Sequence, residues 1–459
     1  MSDLASELVK DKGVKFGNAW ELNAPALDGL FDRVEKYQKG AKAQSIPDVT
    51  DTRDIYGVIM YRLGHPNAIR LRRILEHLFT PLEMEVCHIL KDIPYDNEQI
   101  ANMSKIFDMS EKEMADILDN LMQKGVIFPR SYRIKGCYRF LPRGLYQFHD
   151  CCQSNTAIDM KYGPQIFHLW NEFYLQEDGE AMAAMHKNAW KKSQEEGRVM
   201  GRVLPAYEAI LEGPDADQIQ PWEDARVIIN AQEVIALAPC SCRRRVSGGG
   251  MTCKRTKHQV CLNFNKAAEG VIVRNGREID KEEALAVVRQ SNLDGLIHSY
   301  SGTQVIKGTL LCACCDCCCH HWAGLWQYGF TPQYRWGKSR WEVSIEAGAC
   351  DACASIVGGP RCIDLCQFDA IEMREQEGYT DPMREDIAAI VQHPKKVQRY
   401  KAYVDTEKCW GCLSCVLVCE PKAITAHCVR PVEWVPKPDS TESSGMRRTE
   451  GVRLVQAWD

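Results

Sequence analysis

One four-cysteine pattern occurs twice between Trp341 and Val429, and this repeat constrains the chain more than any other stretch. The first copy is Cys350, Cys353, Cys362 and Cys366; the second is Cys409, Cys412, Cys415 and Cys419. Alternating segments, Val343 with Ile345 and Ala402 with Val404, begin seven residues before the first cysteine of each copy. An Ala-Ile pair follows the fourth cysteine at the same offset in both, Ala370-Ile371 and Ala423-Ile424. The segment reads as two βαβ-like halves made by internal duplication.

The second copy, CWGCLSCVLVC, is the C-x2-C-x2-C-x3-C run with which bacterial ferredoxins hold 4Fe-4S clusters. The segment resembles a dicluster ferredoxin. The resemblance implies that the fourth thiolate of each run serves the other run's cluster. Cys350, Cys353, Cys362 and Cys419 would then hold one cluster, and Cys409, Cys412, Cys415 and Cys366 the other. Three thiolates on one tight loop can reach three corners of a cube, and a helix arriving from elsewhere reaches the fourth. The chain departs from the pattern in two places. Eight residues, Ala354 to Arg361, separate the second and third cysteines of the first copy, and Gln367 and Glu420 stand where a proline usually follows the fourth. Zinc sites also use C-x2-C pairs, but zinc ribbons pair two short knuckles. They do not set three thiolates in seven residues with a fourth four residues on.

Disulfide-dense frameworks belong to small extracellular domains, so 23 cysteines in a 459-residue chain point to metal instead. Met1 to Gly13 lacks the apolar core of a signal peptide, and no stretch approaches the roughly 20 apolar residues that span a bilayer. A soluble, cytoplasmic protein of about three domains is expected. The net charge of −5 argues against a surface that coats nucleic acid.

A second cysteine-rich region opens at Ala238-Pro239-Cys240-Ser241-Cys242-Arg243 and continues with Cys253 and Cys261. Arg243 would sit beside an anionic centre and stabilise it electrostatically; the alternative is a surface arginine in the run Arg243-Arg244-Arg245. After a predicted helix, Lys281 to Gln290, come Cys312, Cys314, Cys315, Cys317, Cys318 and Cys319, then His320 and His321. Neighbouring side chains of an extended segment point to opposite sides, so all six cannot face one centre. Two further iron-sulfur clusters shared between the segments would use eight of these ten cysteines, one cluster is the alternative, and zinc is a third. The histidines read as donors to a centre's surroundings more than as ligands.

Upstream, Thr80-Pro81-Leu82-Glu83 reads as N-cap, first-turn proline and capping acid of a helix to about Leu90. Ser110 with Glu113 opens another, with Met114, Ile117, Leu118 and Leu121 on one face, closed by Gly125. A hairpin is expected from Val126 to Phe140. Helices followed by a hairpin suggest a winged-helix-like domain, yet Glu111, Glu113, Asp116 and Asp119 on the helix that would enter a groove repel phosphate. Arg130, Arg133, Lys135 and Arg139 on the hairpin are the opposing observation. From His149 to about Gly201 the chain reads as helical, with Met182, Met185 and Trp190 as core or docking residues. Val203 to Asp224 reads as a linker into a helix ending near Ile235.

Together these features resemble a family of long cytoplasmic 4Fe-4S ferredoxin-type proteins of anaerobic bacteria, over about residues 55 to 430. That family usually reads CNCC where this chain has Cys312-Ala313-Cys314-Cys315. The expected fold class is α+β and multidomain: an N-terminal helical extension (1–66), a winged-helix-like domain (67–145), a helical segment and linker (146–232), a cysteine-rich cluster domain (233–335), a dicluster ferredoxin domain (336–431) and a tail (432–459). The expected cofactors are 4Fe-4S clusters, two in the C-terminal domain and one or two more in the middle. The expected role is electron transfer with oxidoreductase subunits or redox proteins as partners. No Gly-rich dinucleotide fingerprint follows a strand, since Gly248-Gly249-Gly250 lies in a cysteine loop, and there is no P-loop. The contrasting readings are a redox-sensing transcription regulator and an enzyme with an open-site cluster in the CC-rich segment.

Overall fold

The computed structural model describes residues 54–63, 68–90, 97–131, 134–140, 145–174, 199, 201–250, 253, 255, 259–274, 276–319, 322, 336–353, 360–376 and 400–438. Met182, Met185, Trp190, His320 and His321 lie outside them, as does Arg133. Helix and sheet are mixed: the N-terminal region has a core of its own, while the middle and C-terminal regions share one through Val203, Ile297, Cys314 and Trp322.

The N-terminal region packs helices Ile69–Leu78, Pro81–Ile89, Asn97–Ile106 and Glu111–Lys124 ahead of an antiparallel hairpin, β1 (Ile127–Ser131) and β2 (Ile134–Phe140). Helices Leu145–Ser154, Thr156–Tyr162 and Gln165–Glu172 complete its core around Trp170 and Phe148. Both expected capping boxes form, because each satisfies orphan backbone donors locally whatever the tertiary context. Gly125 closes the second helix in the left-handed conformation (φ 84°). The Thr80 box reaches further than its helix: Glu83 also accepts from Asn120 (2.5 Å) and from the buried Lys124 (2.6 Å). Thr80→Ala is therefore expected to lower stability by about 1 kcal/mol, read as a shifted denaturant midpoint with an unchanged slope.

The middle region is a seven-stranded sheet ordered β6-β4-β5-β8-β7-β3-β9. Its strands are β3 (Gly201–Val203), β4 (Ile235–Pro239), β5 (Gln259–Phe264), β6 (Arg277–Glu278), β7 (Ile297–Ser301), β8 (Leu310–Cys314) and β9 (Trp336–Gly337). β3, from before the 233–335 segment expected to form this domain, and β9, from after it, thus extend the sheet at one edge. The linker expected from Val203 to Asp224 is corrected here. Residues 201–203 are a fully buried strand, Tyr207–Leu211 is a short helix, and the helix Ala225–Asn230 ends before Ile235, which opens β4. Prolines and acids suggested a solvated connector, but Glu223 is buried in an ion pair with Arg340 (2.9 Å) and accepts from Trp341 Nε1 (2.9 Å). The charge has a partner that composition does not reveal. Gly201 is required at its place, since a Cβ there would stand 1.9 Å from the Trp336 ring.

In the C-terminal region β10 (Trp341–Ile345) pairs with β13 (Ile424–Cys428), and β11 (Ile371–Glu375) with β12 (Tyr400–Val404), both antiparallel. The first strand of each half therefore pairs with the last strand of the other. Helices Arg361–Leu365 and Ser414–Leu417 lie inside the halves and contact each other. Among the described residues no helix is long and apolar enough to cross a membrane.

Candidate metal centres

Duplication extends to the backbone around the repeated cysteines. The second residue after the first cysteine is left-handed in both copies (Ala352 φ 55°, Gly411 φ 71°), as is the third after the last (Asp369 φ 48°, Lys422 φ 53°). The Cys366 Sγ accepts from Ala370 N at 3.3 Å and the Cys419 Sγ from Ala423 N at 3.2 Å, while Cys350 Sγ accepts from Ala352 N and Ala402 N at 3.5 Å. Gly411 has no substitute, for a Cβ would lie 2.0 Å from the Trp341 carbonyl oxygen.

The thiols gather across the halves. Burial pushes the Cys362 thiol up to about 12, and its neighbours Cys353, Cys419 and Cys350 push it the same way. Burial likewise raises Cys412 to about 12, with Cys366 and Cys409 adding to the shift. Cys415 is raised first by burial, then by Cys412, Cys409, Cys366 and Cys362. One set is thus Cys350, Cys353, Cys362 and Cys419, the other Cys409, Cys412, Cys415 and Cys366, and the two adjoin at Cys362. Each set has two buried and two half-buried thiols, and thiols that repel one another once ionised suit a cationic centre whose binding displaces their protons.

Residues 402–425, from β12 through Cys409, Cys412, Cys415 and Cys419 to β13, match the family model of the 4Fe-4S binding domain. The chain is an iron-sulfur protein. This protein holds at least one 4Fe-4S cluster, and electron transfer is the role such a centre carries. No curated protein and no solved structure matches it.

The ten middle thiols of this iron-sulfur protein divide into two groups. β8 turns Cys312 and Cys314 to one side and Ala313 to the other, as period two requires. Contacts between thiols then link Cys240 to Cys242, Cys242 to Cys319, Cys319 to Cys314, Cys314 to Cys312 and Cys312 to Cys261. These six, together with Cys315, line one cavity of about 110 Å³, against the roughly 10–15 Å³ of such volume that one water molecule needs. The other four, Cys253, Cys315, Cys317 and Cys318, form a tighter knot beyond the turn that follows β8. Arg243 is fully buried between the groups: its guanidinium donates to the Ala313 carbonyl (2.6 Å) and hydrogen-bonds Cys315, with Cys240 and Cys253 as further electrostatic neighbours. The surface reading of this arginine is set aside.

Sequence reasoning missed what joins the two cysteine regions. Gln367, which stands where proline was expected, donates from Nε2 to the carbonyls of Gly295 and, at 3.3 Å, of Cys314. Ser299 Oγ donates to Cys314 Sγ (3.7 Å) and accepts from Trp322 Nε1 (3.1 Å). The Trp322 ring meets Trp410 edge-on at 5.0 Å, and Trp410 stacks on Phe368 at 5.1 Å. The departure from the proline pattern was the signal available; the aromatic block carried none.

Proposed function

We propose that this protein relays single electrons through three 4Fe-4S clusters, two held by the crossed C-terminal sets and one by the six-thiol cavity, as a subunit or partner of an oxidoreductase. Bound in these sites, such clusters supply reversible one-electron acceptance. The chain's own residues fix the spacing and exclude water. The observation that carries the reading is the path from Cys314 through Ser299 and Trp322 to Trp410, beside Cys409, reinforced by Gln367 between Cys366 and the Cys314 carbonyl. Buried aromatic rings and hydrogen bonds fill the gap between the cavity and the C-terminal pair. A protein whose centres served separate purposes would not need their walls shared.

The N-terminal region supports a docking or scaffold role over a DNA-binding one. The acidic helix Glu111–Lys124 has its end covered by the middle region, where Gln123 donates to the Val273 carbonyl (2.8 Å) and Arg274 to the Met122 carbonyl (2.9 Å). Arg244 of the middle region pairs with Asp159 of the N-terminal region (2.6 Å). The covered end is the C-terminal one, and the exposed first turn carries Glu111 and Glu113, which repel phosphate.

Iron and acid-labile sulfide on the anaerobically purified full chain, with EPR during stepwise reduction, test the relay. About twelve iron atoms per chain are expected, by four per cluster, with magnetic interaction between the cavity signal and the C-terminal signals. A cavity without iron would sink the relay and leave a two-cluster protein, and signals that titrate without any mutual broadening would sink it with all three clusters present.

A further inference from the structure

The knot of Cys253, Cys315, Cys317 and Cys318 has dimensions of its own. Among the described residues it is the group whose ligand atoms all lie within 4.8 Å of one another. Cys317 Sγ is 3.6 Å from Cys253 Sγ, 3.8 Å from Cys315 Sγ and 3.5 Å from Cys318 Sγ, and Cys253 to Cys315 is 3.9 Å. A tetrahedral ion with metal–sulfur bonds of about 2.3 Å spaces its sulfurs about 3.8 Å apart. A 4Fe-4S cube does not, because each thiolate caps a different iron at a different corner, which holds the sulfurs roughly 6 Å apart. The expectation of two clusters in this region meets that difference directly. We infer that these four thiolates hold one zinc ion rather than a fourth cluster.

The surroundings fit a closed tetrathiolate site, whose charge is −2 once the four thiols have released their protons to solvent and taken up Zn²⁺. The buried Arg243 guanidinium hydrogen-bonds Cys315, Arg245 Nη2 donates to the Cys318 carbonyl (3.3 Å), and Arg255 N donates to Cys253 Sγ (3.3 Å). Three ligands come from the four residues Cys315 to Cys318 and the fourth from 62 residues upstream. Zinc accepts so uneven a clasp because its filled d shell imposes no directional preference, and four protein ligands leave no open position for chemistry. The ion would pin the Cys253 segment to the turn after β8, the same turn that sends Cys319 back into the six-thiol cavity. The inference uses none of the six thiols assigned to the cavity cluster, although Cys315 also faces that cavity.

Metal analysis and zinc-edge X-ray absorption on the anaerobically purified full chain decide it. One zinc per chain is expected, with four sulfur neighbours at about 2.3 Å and no iron neighbour, and Cys317→Ala should lose that zinc while its iron content stays at the wild-type level. The wild-type spectrum is decisive even where the variant does not fold. Zinc well below one per chain, a single iron in its place, an iron neighbour at the zinc, or a loss of iron in Cys317→Ala would overturn the assignment.

Discussion

Replacing Cys366 with Ala should remove the cluster built on Cys409, Cys412 and Cys415 and leave the one built on Cys350, Cys353 and Cys362 in place. Cys366 lies in the first copy of the repeat, so a ligand set drawn from one copy predicts the opposite. The strand pairing is the reason for the crossing: β10 with β13 and β11 with β12 bring the end of each half against the start of the other. The Cys366 thiol consequently neighbours Cys412 and Cys415, while Cys419 neighbours Cys353 and Cys362. Iron in the C-terminal pair should fall by about half, four atoms of eight by the four-iron rule. One of its two reduced EPR signals should vanish, and the mirror variant Cys419→Ala should remove the other. Loss of the Cys350-based signal alone in Cys366→Ala would show that each copy builds its own cluster.

Glu223→Ala is expected to destabilise the junction between the middle and C-terminal regions by about 3–5 kcal/mol, the range for removing one partner of a buried ion pair. Arg340 is 2% exposed and would keep its charge, its backbone acceptors at Gln218, Arg430 and Pro431 offering dipoles but no counter-ion. Trp341 Nε1 would lose its acceptor as well. Glu223→Gln keeps an acceptor oxygen in place and should cost less. Chemical denaturation of both variants under anaerobic conditions measures the difference, and a midpoint within error of wild type in Glu223→Ala would mean that the pair contributes nothing net.

Much of this protein is legible from short range. The capping boxes at Thr80 and Ser110, the glycine closure at Gly125 and the strands flanking each cysteine run are set by residues within a few positions of one another, where hydrogen bonds and period-two alternation act without tertiary help. The clash of adjacent directions in Cys312 to Cys319 was readable for the same reason. Glu223 and Arg340 are 117 residues apart, and nothing near either marks the other as its partner, so an acidic, proline-rich stretch read as linker while it folds as wall.

The sequence by itself determined that the C-terminal segment is duplicated and bears 4Fe-4S spacing, because thiolates that must reach one small inorganic core need fixed separations along a loop. Only the tertiary structure decided how the middle thiols divide. β4, β5 and β8 are neighbours in the sheet, and that adjacency, set by hydrogen bonds between distant strands, gathers Cys240, Cys261, Cys312 and Cys314 on one cavity while the following turn carries Cys315, Cys317 and Cys318 to Cys253. Spacing along a chain limits which sulfurs can meet, but the distances between them, and hence whether a single ion or a cube fits, depend on strands that pair across tens of residues.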